Sequence, residues 1–480
     1  MASGSNFTRR RLIAGVAGAA LARPFAALGA AAAPKVDVLV IGAGLSGLNA
    51  ALLLEERGAS VQVIESRSRI GGRLHTLYDL PGHPEVGGNS MASGYARMID
   101  MAHRLDVKLV DYASRVFGAP PPQLVLGEKL FSKSEWIDSS QNPFSEGFRD
   151  KMPWELVAAR LAGSNPLQAS ADWLKNEHSA LDIPLHQYLR TLGMSDAEVR
   201  LAYDMAPYYG ASAWEVSALM YLFNRRWTAE QISMGSSLYA VEGGNQRLPE
   251  AMARRLKQEV RLNQEVMTVE QESDGVRVRC RNGETFRASY AVCSLPFSKV
   301  RDLYMWPKLQ GTQRQAVATL NYQRNTLVFL VPKRPFWEDD GLSPTMWTDG
   351  TLGTVVAQQF GDNPKEVTGL VVNTRGWVAD SLDRLGPAAA QAFVIAEIER
   401  LRPAAKGALE AGGFHSWWLD PHNAGDWAIF APGQVGLLPT MAQPHGRMHF
   451  CGEHTATMNR GMEGAMESGE RVAMELAARI

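Results

Sequence analysis

Apolar positions change their spacing along the chain in a way that marks out elements before any motif is considered. Val36 to Ile41 is an almost unbroken apolar run, the pattern of a strand covered on both faces in a parallel sheet. Leu45 to Glu56 carries helical spacing and is closed by Gly58, after which Val61 to Ile64 returns to a short apolar run. Strand, helix and strand in that order predict a βαβ unit. Residues 96 to 234 read mainly as helices, as in LHQYLRTLGMSDAEVRLAYDMAPYYG, with many aromatic side chains. From YAVEGGNQRLPEAMARRLKQEVRLNQEVMTVEQ the pattern becomes a glycine turn, a helix and strands, followed by a hairpin at Asn282-Gly283 and the run ASYAVCSLP. RMHFCG reads as a strand, and a last helix is expected from about Gly461.

The first residues follow a different logic. NFTRRRLIAGVAGAALARPFAALGAAAAP has arginines at Arg9 to Arg11, an alanine-rich apolar stretch too short to span a bilayer, and small residues before Pro34. It reads as a secretory signal resembling the twin-arginine type, the route for proteins that fold and load a cofactor before export. Residues 1–33 are therefore set aside from fold reasoning, and a periplasmic or secreted protein is expected. No later stretch is apolar and long enough for a membrane helix, so no stable membrane anchor is expected.

Composition narrows the class without naming it. At 480 residues and 45% hydrophobic, the chain can fill two to four domains of ~150 residues each. Its 49 basic and 50 acidic residues balance, which gives no electrostatic reason to expect nucleic acid or an anionic membrane as partner. Three cysteines, Cys280, Cys293 and Cys451, are too few for a disulfide framework. His445, His449, Cys451 and His454 crowd together, but strand alternation sends His449 and Cys451 to one face and leaves the others unplaced, so no metal site is expected.

The chemistry begins at the first turn of the βαβ unit. Gly42, Gly44 and Gly47 form G-x-G-x-x-G between strand and helix, with Ser46 inside the motif. Missing side chains let backbone and helix N-terminus approach a pyrophosphate. Glu65 ends the second strand, eighteen residues beyond Gly47, where a carboxylate accepts from ribose hydroxyls and argues against a 2′-phosphate. A dinucleotide site follows. SRSRIGGRLHT comes next, with Gly71 and Gly72 flanked by Arg67, Arg69 and Arg73, a set of backbone donors and guanidinium groups suited to an anionic pyrophosphate.

This stretch resembles the R-x-G-G-R signature of the flavin amine oxidases, and the order of motifs resembles the flavin monoamine oxidase family across nearly the whole chain after the signal. Gly452, Glu453, Thr455, Gly461, Met462 and Glu463 match that family's last motif, with His454 altering the spacing. The resemblance implies non-covalent FAD in a split Rossmann-like α/β domain, residues 34–95, 235–300 and 411–480, with an interleaved α+β substrate domain over 96–234 and 301–410. It implies that Val266 contacts the adenine through its backbone and that Gly87, Gly88 and Asn89 line the flavin. Glu453 would hold ribityl or ribose hydroxyls. The last helix would aim its N-terminus, near Gly461 and Met462, at the flavin pyrimidine, where reduction places negative charge.

The resemblance also marks departures. The family flanks its substrate with two aromatic side chains; Trp427 in GDWAIFAPGQ takes the first position, and Gly461 falls on the second, leaving the cage half open. Trp417 or Trp418 would also line the flavin. A lysine associated with oxygen reactivity precedes PFW in the family; here the position falls near Thr326 or Leu327, and no cysteine near Trp427 would link the flavin covalently. The function expected is oxidation of a small-molecule amine to an imine, hydrolysed to an aldehyde or ketone, with electrons passed to oxygen or to a periplasmic cytochrome or quinone. An L-amino-acid oxidase is an alternative that needs an arginine for the substrate carboxylate, with Arg97, Arg225 and Arg226 as candidates. A desaturase or porphyrinogen-type oxidase fits the last motif less well. A non-catalytic flavin-binding subunit is a further alternative, and assembly as a homodimer is left open.

Overall fold

The computed structural model describes residues 35–206 and 209–480; the signal-like segment lies outside the described residues. The apolar run Val36–Ile41 pairs in parallel with Val61–Ile64 on one side and with Thr285–Cys293 on the other, and Val38, Leu39 and Val40 are fully buried. That burial on both faces is why the run shows no alternation. Seven strands make this first sheet. Thr285–Cys293 is long enough to change partners: its first half pairs antiparallel with Val276–Cys280, its second half in parallel with Val36–Ile41 and Met448–Phe450. The Asn282-Gly283 pair closes the hairpin, with Gly283 at φ +89° and the Asn282 side chain accepting from the Glu284 N–H at 3.0 Å.

A second sheet of seven strands runs in the order Leu409–Ser416, Asn325–Pro332, Gly369–Arg375, Thr354–Gln358, Met346–Thr348, Gln123–Leu126 and Lys129–Phe131. One face packs on the helices Trp377–Leu385 and Pro387–Leu401 through Val328, Leu330, Val372, Leu382, Val394 and neighbours. The other face packs on Val86, Trp417, Leu77 and Leu80 through Leu327, Phe329 and Val371. The fold is therefore α/β, with a Rossmann-like sheet beside a mixed α+β unit.

Strand pairing crosses the boundaries expected from sequence. Tyr304–Trp306 adds to the first sheet beside Val266–Gln271, whereas Leu409–Ser416 lies at the edge of the second. Two strands of the second sheet, Gln123–Leu126 and Lys129–Phe131, come from the stretch read as helical. Each is a run of three or four residues around the Gly127 turn, too short to carry a clear period.

The two helices that matter most for the site are 417 residues apart at one contact, where the Asn49 amide donates to the Met466 carbonyl at 2.8 Å. A Cβ on Gly469 would stand 2.4 Å from the Ser46 carbonyl oxygen, so glycine is required for the helices Leu45–Glu56 and Gly461–Ala477 to lie this close. Glu463 braces the last helix from outside the site. Its buried carboxylate accepts from the Arg97 and Met98 N–H groups at the start of the Ala96–Arg104 helix.

Candidate active site

Two helix N-termini and one sheet face meet around a cavity of about 390 Å³. Gly44 precedes the fingerprint helix with extended backbone, and no side chain caps that helix. A Cβ built on Gly44 meets nothing within 4 Å, so the space before the helix end is open cavity. Gly47 serves the turn itself, since a Cβ there would lie 2.2 Å from the Gly42 carbonyl oxygen. Gly72 is pressed against Gly44, its Cβ position 3.3 Å from the Gly44 Cα, and Gly71 donates its N–H to the Ala43 carbonyl at 3.0 Å. The second glycine motif is thus packed onto the first.

The charged residues divide between cavity wall and frame. The Glu65 carboxylate borders the cavity and accepts from the Ala43 and Arg67 N–H groups, each at 2.9 Å, which ties the fingerprint turn to the end of the second strand. The Arg67 guanidinium lines the cavity and lies 2.6 Å from Asp420 Oδ1. Arg69 instead clamps the carbonyls of Ile70, Gly72 and Leu74. Arg73 joins the two ends of the chain: its Nη1 donates to Glu453 Oε1 at 2.9 Å and also to the Asp426 carbonyl. Burial alone would raise the Glu453 carboxyl, but Arg73, His454 and Arg460 hold it below the usual carboxylate range. Asp426, also in the wall, is pushed up to about 6 by burial, with Arg73 and Asn325 opposing.

Gly461 opens the last helix at φ +55° with no side-chain cap, and a Cβ there meets nothing within 4 Å. It lines the cavity with Met462, Gly88, Asn89 and Trp427. The Gly88 and Asn89 carbonyls are fixed by the buried Asn245 amide at 2.6 and 3.0 Å. Two aromatic residues that sequence reasoning missed, Tyr95 and Trp227, lie in the same wall with ring centroids 5.7 Å apart. The Trp227 indole N–H donates to Asn459 Oδ1 at 3.0 Å, two residues before Gly461.

The cavity is floored by alternate residues of the second sheet. Asn325 pairs opposite Arg375 and Leu327 opposite Asn373, and all four line the cavity. Thr326 lies between them and faces the other way. Its hydroxyl donates to Asp383 Oδ1 at 2.6 Å on the helix-covered side, so Thr326 is not brought to the site and Leu327 occupies the place considered for the family's lysine. The signal for this floor was the alternation in NTL and NTR, legible only once the strands are paired.

Other expected residues also stand outside the wall. Gly452 sits behind it, at φ +133°, where a Cβ would strike the buried His454 ring at 2.4 Å. Trp417 is fully buried behind Gly87, with its indole N–H donating to the Val86 carbonyl, and Trp418 lies at the surface under the Arg324 guanidinium. Of the arginines considered for a carboxylate, Arg97 pairs with Glu463 and Glu470, Arg226 with Glu230, and Arg225 is exposed; none lines the cavity. Val266 lines an adjoining cavity of about 200 Å³ that shares Gly42, Ser66, Leu295 and His422 with the first. The C-terminal histidines separate: His445 bonds the Pro307 carbonyl, His449 bonds Glu475, and His454 packs on Phe297.

A dinucleotide flavin fits these residues. Two adjoining cavities make an elongated cleft, the glycine-lined helix end opens onto it, and a second helix N-terminus at Gly461 faces the large cavity.

The family model described as flavin containing amine oxidoreductase matches residues 45–477. The flavin-dependent L-tryptophan oxidase RebO of Lentzea aerocolonigenes is 26% identical over 90% of this chain and 96% of its own length. The flavin-containing amine oxidase A of Equus caballus is 24% identical over 92% of this chain and 84% of its own. Among solved structures, putrescine oxidase bound to putrescine superposes with a TM-score of 0.74 at 22% identity, covering 93% of this chain and 100% of the other. This last likeness concerns the fold. The family match spans both the fingerprint helix and the last helix, the two elements whose ends frame the cavity, and the chain belongs to the flavin-containing amine oxidoreductases.

Proposed function

We propose that the protein oxidises a small-molecule amine to an imine in the large cavity, with the imine then hydrolysed to an aldehyde or ketone. The observation that carries this reading is the convergence of an uncapped helix end at Gly461, the Trp427 wall and the apolar Leu327 floor on one cavity. Bound FAD would take up the hydride equivalent lost from the α-carbon, that is two electrons with one proton, while the nitrogen gives up a second proton.

The chain's own residues supply position, charge balance and dryness. Gly44 with Arg67 would hold the pyrophosphate, Glu65 and Glu453 the hydroxyl-bearing chain, Val266 the adenine, and Gly88 and Asn89 the ring system. The positive end of the last helix at Gly461 and Met462 would favour negative charge placed before it. Trp427 presents a ring face that suits an approaching amine by cation–π attraction. Leu327, buried in the floor, keeps that face apolar and dry.

FAD is held without a covalent bond in this reading, since the three cysteines are buried and none lines the cavity. Electrons leave to oxygen, or to a periplasmic cytochrome or quinone, after export by the twin-arginine-like segment. The test is product analysis: full-length protein incubated with a panel of amines in air, and separately with a dye acceptor, should release ammonia or a smaller amine together with a trappable carbonyl. Flavin-loaded protein that yields neither product from any amine would remove the reading.

A further inference from the structure

Three carboxylates line the large cavity, and two of them are well partnered: Glu65 accepts two backbone N–H groups and Glu453 pairs with Arg73. Asp426 is the third. Among the described residues its side chain forms no ion pair and a single hydrogen bond, accepted at Oδ2 from Asn325 Nδ2 at a long 3.4 Å. Its backbone is pinned, with the N–H donating to the Gln323 carbonyl at 3.0 Å and the carbonyl accepting from Arg73, so the carboxylate has little freedom to seek a better partner. Asn325 Oδ1 is buried as well, and among the described residues no donor reaches it.

These two side chains suit a proton that comes and goes. An ionised carboxyl accepts from the amide N–H, and a protonated one donates to the amide oxygen once the amide turns over, so a hydrogen bond is available in either state. Burial pushes the Asp426 carboxyl up to about 6, against Arg73 on its loop and Asn325 and Arg375 on the two floor strands, with Glu453 adding to the rise. Glu65, Arg67 and His422 are the other charged or imidazole groups that line the cavity, and Arg460 lies over the neighbouring Trp427 ring at 5.3 Å. A negative charge added to this enclosed cavity raises the proton affinity of a carboxyl held so near its titration point.

We propose that Asp426 is a proton-coupled tuning residue for the bound flavin: its carboxylate opposes the arrival of electrons, takes up a proton from solvent when the flavin is reduced, and returns it on reoxidation. This rests on the flavin-binding part of the reading above, and on no particular electron donor. Two electrons with one proton enter the flavin, the additional proton goes to the Asp426 carboxylate, and no electron resides on that carboxylate and no bond joins it to the flavin. By reciprocity the ionised carboxylate lowers the flavin potential and the neutral acid does not. Asn325, which Asp426 contacts, stands one same-face step of about 7 Å from Leu327, the place considered for the family's lysine, so the carboxyl acts on the flavin from beside that place.

The test needs no amine. Full-length flavin-loaded wild type and Asp426→Asn, a change that keeps the shape and removes the charge, are reduced anaerobically with dithionite against reference dyes, and the midpoint potential is followed with pH. The two potentials should coincide well below about pH 6 and separate above it, the variant becoming the easier to reduce. At a fixed potential on the alkaline side, its reduced-to-oxidised ratio should exceed that of the wild type by about 10-fold, the scale of one charge acting across a partly buried site. An indicator dye in weak buffer should show the wild type taking up more protons per two electrons than the variant over the interval of separation. Asn325→Leu removes the bond that favours the carboxylate and should move the point of separation to higher pH, which keeps the test open if Asp426→Asn fails to retain flavin. The same potential at every pH, or an offset that does not change with pH, would overturn the proposal. A flavin that dithionite reduces with this coupling but no amine bleaches would keep the role of Asp426 and sink amine oxidation; amine bleaching without the coupling would sink the role of Asp426 alone.

Discussion

Arg73 and Glu453 stand 380 residues apart in sequence and 2.9 Å apart in the structure. The pair fastens the R-x-G-G-R loop to the start of the last motif, and Glu453 Oε1 accepts the Ala428 N–H at 3.0 Å as well, which brings in the segment that carries Trp427. One carboxylate thus positions three pieces of the cavity wall. Glu453→Gln leaves the Arg73 charge without its partner in a mostly buried place, and a loss of about 3 kcal/mol of stability is expected. Denaturant unfolding measures it, and flavin content per chain should fall in parallel. A variant as stable and as yellow as the parent would mean that the pair does not hold the wall.

Gly44 and Gly47 are expected to fail in different ways. Gly44 has ordinary extended backbone and open space where a Cβ would go, so Gly44→Ala should fold with near-parental stability and lose bound flavin. Gly47→Ala drives a Cβ to within 2.2 Å of the Gly42 oxygen and should destabilise the fold itself. Circular dichroism and flavin absorbance on the two purified proteins distinguish these outcomes. Loss of folding in Gly44→Ala would contradict the assignment of that space to a ligand.

Thr326 and Leu327 show why a count from a motif was not enough. The position of the missing lysine was known to within one residue, and in a strand one residue reverses the face. The Leu327 side chain lines the cavity while Thr326 bonds Asp383 behind the sheet. Leu327→Lys should place an ammonium in the cavity and quicken reoxidation of the reduced flavin by oxygen. Thr326→Lys should instead bury a charge against the helix-covered side and lower stability. Stopped-flow reoxidation compares the first variant with the parent, and an unchanged rate would disprove the role assigned to that position.

What could be read in the chain was local. The fingerprint turn, the arginine-flanked glycines and the C-terminal glycine motif each lie within a few residues, and their spacing carries the backbone geometry with it. The cavity floor was not legible, because Asn325 and Arg375 become neighbours only through antiparallel pairing across fifty residues. Arg97 illustrates the same limit. As a charge it was a reasonable partner for a substrate, but its partner Glu463 lies 366 residues away and only the packed helices reveal it. Trp227 was hidden among many aromatic residues of a helix; its bond to Asn459 is what marks it out.

Glu85 gives a pH signature. Burial pushes its carboxyl up to about 8, against the N–H of Asn245 and the Thr76 hydroxyl, which favour its charged form. Its folded value thus lies above its unfolded one, so the native chain holds a proton that the unfolded chain releases near pH 4.5. Its contribution to stability is fully present below that pH and is lost as pH rises to about 8. Glu85→Gln should remain folded at neutral pH and flatten the decline between those limits. Unfolding midpoints across that range check it, and an unchanged slope would mean Glu85 is ionised in the native protein.

Anaerobic reduction tests the central claim most directly. The purified yellow protein is mixed with amines and amino acids in the absence of oxygen, flavin absorbance is followed, and air is then admitted. Bleaching by one amine class, with recovery of colour in air or on addition of another acceptor, is the result expected of an amine oxidoreductase whose substrate reaches the Trp427 wall. A flavin that no amine in a broad panel bleaches, though dithionite reduces it, would contradict the account.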